Sequence, residues 1–211
     1  FFYWWGVYPD WGYYDHPPMV GWFIAAMLHG LGDSTWSIRL PIVLLPLVQG
    51  LVLWWGVSAW DRERAPWAAL LFWLAPINWL NTLVTTDTPL MLWSMLSVAC
   101  LVHAEARPRL DRRAWMMYVM SGVFIGCAFL SKYFSVVLGL SYVVYFALVR
   151  RDRWAGLLML VLAVVIVACA AVVRARALDI PPPVLALGGA VCGVTWATNA
   201  VEGGTAVMSL L

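Results

Sequence analysis

Charge is what this sequence has least of. Of its 211 residues, 11% are Asp, Glu, Lys or Arg, and lysine occurs once, at Lys132. Soluble domains carry about 25% charged residues. A chain that is 64% hydrophobic, with a mean hydropathy of +0.83, cannot hide that much apolar surface from water. A water-soluble globular class is excluded, and lipid is the expected solvent. The net charge of +2 is scattered over several loops and forms no basic block, which excludes nucleic acid as a partner. Cysteine is sparse as well: Cys100, Cys127, Cys169 and Cys192 each lie inside an apolar run, without CxxC spacing or a neighbouring histidine pattern. They read as small buried hydrophobes rather than as a zinc site or a redox pair. No internal repeat is present, and low complexity is confined to the triple proline at 181–183, which breaks any helix there. The chain begins at Phe1 with no initiator Met, basic n-region or cleavage site, and it ends in GGTAVMSLL without a polar tail. No signal peptide is expected, and both ends point to a fragment of a longer protein.

What the sequence has in quantity is apolar runs, at 40–60, 67–84, 89–102, 115–130, 133–149, 154–173 and about 183–201. Read as bilayer crossings they make about seven spans, several of them shorter than the roughly 20 residues a crossing needs. Ahead of them, the segment 17–31 places Val20, Phe23, Ile24, Met27 and Leu31 at helical spacing and stops at HGLGDS, the pattern of a short helix lying near the interface. The loops 61–64, 103–113 and 150–153 hold nine of the thirteen Lys and Arg residues, so they are expected on the cytoplasmic side. The opposite face then carries Asp10, Asp15, His16, Asp33, Arg39, Asp87 and Lys132. Arg174 and Arg176 fall outside in this threading, against the charge bias. The expected fold is an all-α polytopic transmembrane helical bundle. Residues 1–37 form a first extracytoplasmic loop with its interfacial helix, 38–173 the bundle, and 174–211 a C-terminal segment with one further span.

Four places at the outer face combine residue types that carry chemistry. Asp87 and Thr88 precede Pro89, the order of a helix cap followed by proline in the first turn. The same carboxylate is placed to bind a cation or orient a substrate hydroxyl. Asp15 and His16 precede Pro17 and Pro18 in the same way. Capping alone does not call for an acid and an imidazole flanked by Trp11, Tyr13 and Tyr14, a set that suits a sugar or a metal-bound phosphate; an aromatic anchor in the interface is the plainer alternative. Lys132, between two spans, either reaches to headgroups or holds a lipid phosphate with its compact ammonium, and Arg39 has the same two readings. His29 and His103 have no partners at metal spacing and are expected to pack or face solvent.

In this order and spacing, DWGYYDHPPMVGW at 10–22, GDSTWSIRLP at 32–41, TTDTPLML at 85–92 and FLSKYFSVVL at 129–138 resemble the polytopic glycosyltransferases related to protein O-mannosyltransferases and the lipid A aminoarabinose transferase, which share the GT-C fold. The resemblance covers about residues 1–153 and gives no match from Arg174 onward. It implies a multi-pass enzyme of the bacterial inner membrane that moves a sugar, with inversion, from a polyprenyl-phosphate donor to a lipid, protein or glycan acceptor at the extracytoplasmic face. By position, Asp15, His16 and Asp87 become the candidate catalytic residues, and Tyr13, Tyr14, Arg39 and Lys132 the candidate substrate-binding residues. A divalent metal is the one cofactor it admits, with Asp15 as the ligand. The resemblance also implies an Asp-Glu pair, with the Asp as catalytic base, just upstream of the aromatic run FFYWW, which here places it before Phe1.

Two other classes compete. An ion- or proton-coupled transporter would put ionisable residues near the bilayer midplane, whereas here the spans hold almost none and the charges gather at one face. A non-catalytic membrane scaffold stays open as well: an Asp-Glu pair within a few residues before Phe1 would favour the transferase, and unrelated sequence there the scaffold.

Overall fold

A computed structural model of the protein describes residues 2–13, 16–76, 85–149 and 153–177. Among the described residues there are eight α-helices and no strand. These are α1 (Phe2–Val7), α2 (Met19–Leu31), α3 (Thr35–Val57), α4 (Ala65–Leu74), α5 (Asp87–Glu105), α6 (Arg112–Ser131), α7 (Val136–Leu148) and α8 (Arg153–Ala177), with one 3-10 turn, Tyr133–Ser135, leading into α7. Four of them, α3, α5, α6 and α8, are long and apolar enough to cross a bilayer. The protein is an integral membrane protein built as an all-α bundle.

The seven expected runs map unevenly onto this. Helix α4 covers the first part of 67–84, whose residues 77–84 lie outside the described residues, as does the whole of 183–201. The run 133–149 becomes the 3-10 turn and α7, a shorter apolar helix. The short helix expected within 17–31 is present as α2. It stops at Gly32, whose φ of 79° lies in the left-handed region that only glycine adopts without strain. Helix α8 is continuous through Ala177, past the point where the family resemblance ends.

Loop chemistry sets the helix starts. Ser34 caps α3 by accepting from the Ser37 N–H at 3.2 Å, and Asp111 caps α6 by accepting from Ala114 N–H at 2.8 Å while its other oxygen takes Arg107 Nη1 at 2.8 Å. The long helices differ in how much protein covers them. More than half of α6 is buried, against a fifth of α3, which makes α6 the axis of the bundle and leaves Leu44, Leu51, Val161 and Val165 facing outward as a lipid-contacting surface. Leu101, Tyr118, Ile125, Tyr142, Phe146 and Met159 pack around that axis from α5, α6, α7 and α8.

Three contacts hold the helices in register. On α6, Gly122 and Gly126 are one turn apart and face α8. A Cβ at Gly122 would stand 2.7 Å from the Met159 carbonyl oxygen and one at Gly126 would stand 3.0 Å from Ile166, so the two helices approach as closely as their backbones permit. Between α5, α6 and α7, Ser97 Oγ donates to the Ser121 carbonyl at 2.9 Å, Ser121 Oγ donates back to the Ser97 carbonyl at 2.8 Å, and the Tyr142 hydroxyl lies 2.9 Å from Ser97 Oγ. With its own proton spent, Ser97 Oγ accepts from Tyr142. At the arginine-rich end, the Tyr118 hydroxyl donates to Glu105 at 2.6 Å, and His103 stacks on Trp55 with its Nε2 2.8 Å from the Trp55 carbonyl oxygen. His103 thus packs, as expected of it.

Candidate active site

Helices α5 and α6 are joined by the short loop 106–111 and run antiparallel, so the first residue of α5 meets the last of α6 at the far end of the bundle. There Asp87 opens α5. Its cap position is Thr86, which makes no side-chain capping bond, and Asp87 itself is the first helical residue. At the partner end, α6 stops because Lys132 turns to extended backbone (φ −160°, ψ 135°) before the 3-10 turn reverses the chain. Lys132 therefore sits on an elbow, and its Nζ donates to Asp87 Oδ1 at 2.6 Å.

The pair complements both helix ends, with a carboxylate at an N-terminus and an ammonium at a C-terminus. It also remains open: the Lys132 and Asp87 side chains are 36% and 48% exposed. An ion pair this accessible is worth at most about 1 kcal/mol, so it is a poor structural fastening. Its chemistry is more distinctive. An ammonium has three N–H donors. One goes to Asp87, and the part-exposed ammonium has donors left with which an anion can be received.

The segment before α2 folds back toward the same end. Tyr13 stacks on Trp5 with ring centroids 4.2 Å apart, and its hydroxyl donates to the Trp5 carbonyl at 2.7 Å. Trp22 Nε1 donates to the Asp10 carbonyl at 2.9 Å, and Trp11 packs edge-on against Trp22. The His16 ring lies 5.8 Å from Trp5 and 6.3 Å from Phe2. Helix α2 is capped by Pro18 without a side-chain bond, so His16 is not its cap. Met19 packs on Leu130 and Ala170, which brings the start of α2 beside the end of α6 and His16 to the same end of the bundle as Lys132. Tyr3 ties α1 to the turn before α3 by donating to Asp33 at 2.7 Å, and that bond holds the phenol above its ordinary pKa.

Of the sequence-derived candidates, the structure joins Asp87 and Lys132 directly and places His16 and Tyr13 in the neighbouring aromatic loop, where Tyr13 serves the loop's own fold. Arg39 lies exposed near the start of α3. Tyr14 and Asp15 lie outside the described residues. Among the described residues no three His, Cys, Asp or Glu side chains gather to hold a metal ion, and Asp15, the ligand expected for a divalent metal, lies outside them.

Sequence reading passed over one polar side chain. Gln49, just past the midpoint of α3, is wholly buried, and its Nε2 donates to the Thr88 carbonyl at 3.0 Å, one residue from Asp87. The signal was there, since it is the chain's one glutamine and it interrupts the apolar run LLPLVQGLVLWW.

Residues 15–174, more than half of the chain, match the family model described as dolichyl-phosphate-mannose-protein mannosyltransferase. The Asp87–Lys132 pair, His16, Arg39 and Gln49 all fall within that stretch. No curated protein and no solved structure matches the chain.

Proposed function

Because the chain belongs to the dolichyl-phosphate-mannose-protein mannosyltransferase family, and is on that account a membrane glycosyltransferase of the mannosyltransferase type, we propose that Lys132 and Asp87 form the anion-receiving part of its active site. The donor we assign is a mannose carried on a polyprenyl phosphate, the class named in the family's description. Transfer takes place at the extracytoplasmic face. The clustering of arginine in the loops at the opposite end of α5 and α6 supports that side.

In the reaction, an acceptor hydroxyl attacks the anomeric carbon from the face opposite the phosphate. A carbon–oxygen bond forms as the bond from that carbon to the phosphate oxygen breaks, which inverts the centre. The electron pair leaves on the phosphate, and the acceptor proton passes to a carboxylate base. Lys132 meets the charge that grows on the departing phosphate, where a prealigned cation lowers the barrier most. Asp87 holds the ammonium aimed. That engagement makes it the orienting acid rather than the base. The lipid tail stays among apolar side chains while the headgroup reaches the rim, which is where the pair stands.

The observation that carries this reading is the Lys132–Asp87 contact itself, an exposed ion pair that joins two helix ends inside the family-matched stretch. The test is release of polyprenyl phosphate from polyprenyl-phosphate mannose by the full chain in lipid vesicles with a membrane extract as acceptor source. Lys132→Ala and Asp87→Asn should each lower turnover about a hundredfold, the scale for loss of a transition-state cation. Lys132→Arg keeps charge but changes shape, and should recover part of it. Undiminished turnover in Lys132→Ala and Asp87→Asn would remove the pair from the site.

A further inference from the structure

We propose that Gln49 is a positioning residue for this site: its amide fixes the first turn of α5 and, through it, the direction in which Asp87 presents its carboxylate to Lys132. The inference rests on the reading of the Asp87–Lys132 pair given above.

Three observations carry it. The first is the target of the bond. Gln49 Nε2 reaches across from α3 to the Thr88 carbonyl at 3.0 Å. In a regular helix that carbonyl already accepts from the N–H four residues on, so the backbone does not need Gln49 to satisfy it. What the second donor adds is a fixed orientation of the turn that starts with Asp87. The second observation is the missing cap: Thr86 makes no side-chain capping bond, so the opening turn of α5 lacks the usual local anchor, and Gln49 supplies one from a neighbouring helix. The third is the cost. Gln49 Oε1 and Thr88 Oγ1 are both buried without hydrogen-bond partners among the described residues. Val52, Leu92 and Ala99 pack into an apolar cluster along the same helix pair. A leucine at position 49 would remove the first of these costs, so stability alone does not explain an amide there.

Lys132 is the chain's one lysine, and it makes a direct reporter. An amine engaged in a hydrogen-bonded ion pair is less free to attack amine-directed reagents, so the acylation rate of the peptide containing Lys132, followed by mass spectrometry on the full chain in lipid vesicles, reads the ion pair without reference to activity. Gln49→Leu should raise that rate at least threefold in the wild-type background and leave it unchanged in an Asp87→Asn background, where the pair is already lost. Gln49→Glu, protonated among apolar neighbours, keeps an O–H donor and should bring the rate back toward wild type. Gln49→Met serves for the same comparison if the leucine variant does not fold. An unchanged rate in the wild-type background overturns the proposal, as does an equal rise in both backgrounds, which would mean general loosening. In the transfer assay, Gln49→Leu should lower kcat about tenfold with the donor KM within about twofold, the signature of misaimed rather than missing groups. Failure of the functional reading is separate: the labelling coupling would persist while Asp87→Asn left transfer untouched.

Discussion

Lys132, at the end of α6, and Asp87, at the start of α5, are 45 positions apart in sequence and 2.6 Å apart in space. The pair closes the end of an antiparallel helix hairpin whose other end is the arginine-bearing loop. A contact so well placed and so accessible contributes little to holding the hairpin together, which is the work of the buried α5–α6 and α6–α8 interfaces.

Stability and activity should therefore separate at this pair. Lys132→Ala and Asp87→Asn should each shift the unfolding free energy in detergent by under about 1 kcal/mol, as exposed pairs do, while transfer falls by orders of magnitude. Thermal unfolding followed beside turnover checks it; a large loss of stability would make the pair a structural element instead.

Sidedness follows from the threading of α5 and α6. Phe134 is exposed beside Lys132, and Leu110 is exposed in the arginine-bearing loop. A cysteine placed at Phe134 should react with a membrane-impermeant thiol reagent added outside intact cells. One placed at Leu110 should react only after the membrane is opened. Labelling of both from one side would break the topology.

The α6–α8 approach should tolerate no added bulk. Gly122→Val would drive side-chain atoms into the Met159 backbone, where overpacking costs about 1–3 kcal/mol. The expected result is a clear drop in unfolding temperature with a smaller one for Gly122→Ala. Equal stability of all three would mean that the helices have room.

The buried hydroxyl junction should respond in graded fashion. Ser97 donates to Ser121 and accepts from Tyr142, so Ser97→Ala removes both bonds, whereas Tyr142→Phe leaves the Ser97–Ser121 bond in place. With interhelical hydrogen bonds in membranes averaging about 0.6 kcal/mol and reaching about 1.7, Ser97→Ala should destabilise by about 1–2 kcal/mol and Tyr142→Phe by less. The reverse ranking in chemical unfolding would contradict the donor assignment.

How far the sequence reads forward differs from residue to residue. The run expected at 115–130 is α6, Arg112–Ser131, because Asp111 supplies a cap that sequence chemistry announces. The glycine stop after α2 was equally legible, since a positive φ calls for glycine. Asp87 was not. Its place before Thr88 and Pro89 fits a cap as well as a site, and the carboxylate turns to Lys132 instead of to its own helix. Gly122 and Gly126 carry the spacing of close helix contact, but nothing local says which helix they admit. Gln49 is visible as an oddity, and its purpose is invisible until Thr88 appears across from it.

The sequence by itself determined that this protein lives in a bilayer, that it is helical, which loops carry most of the positive charge, and which family it resembles. These follow because transfer into lipid and helix capping are settled residue by residue. Only the tertiary structure decided that Asp87 and Lys132 touch, that His16 comes to their end of the bundle, and that Gln49 braces the turn beneath them. Lipid chains are as apolar as leucine, so the hydrophobic effect does not choose which greasy faces meet. Register is left to glycine contacts and a few buried hydrogen bonds, and each of those needs two partners before it means anything.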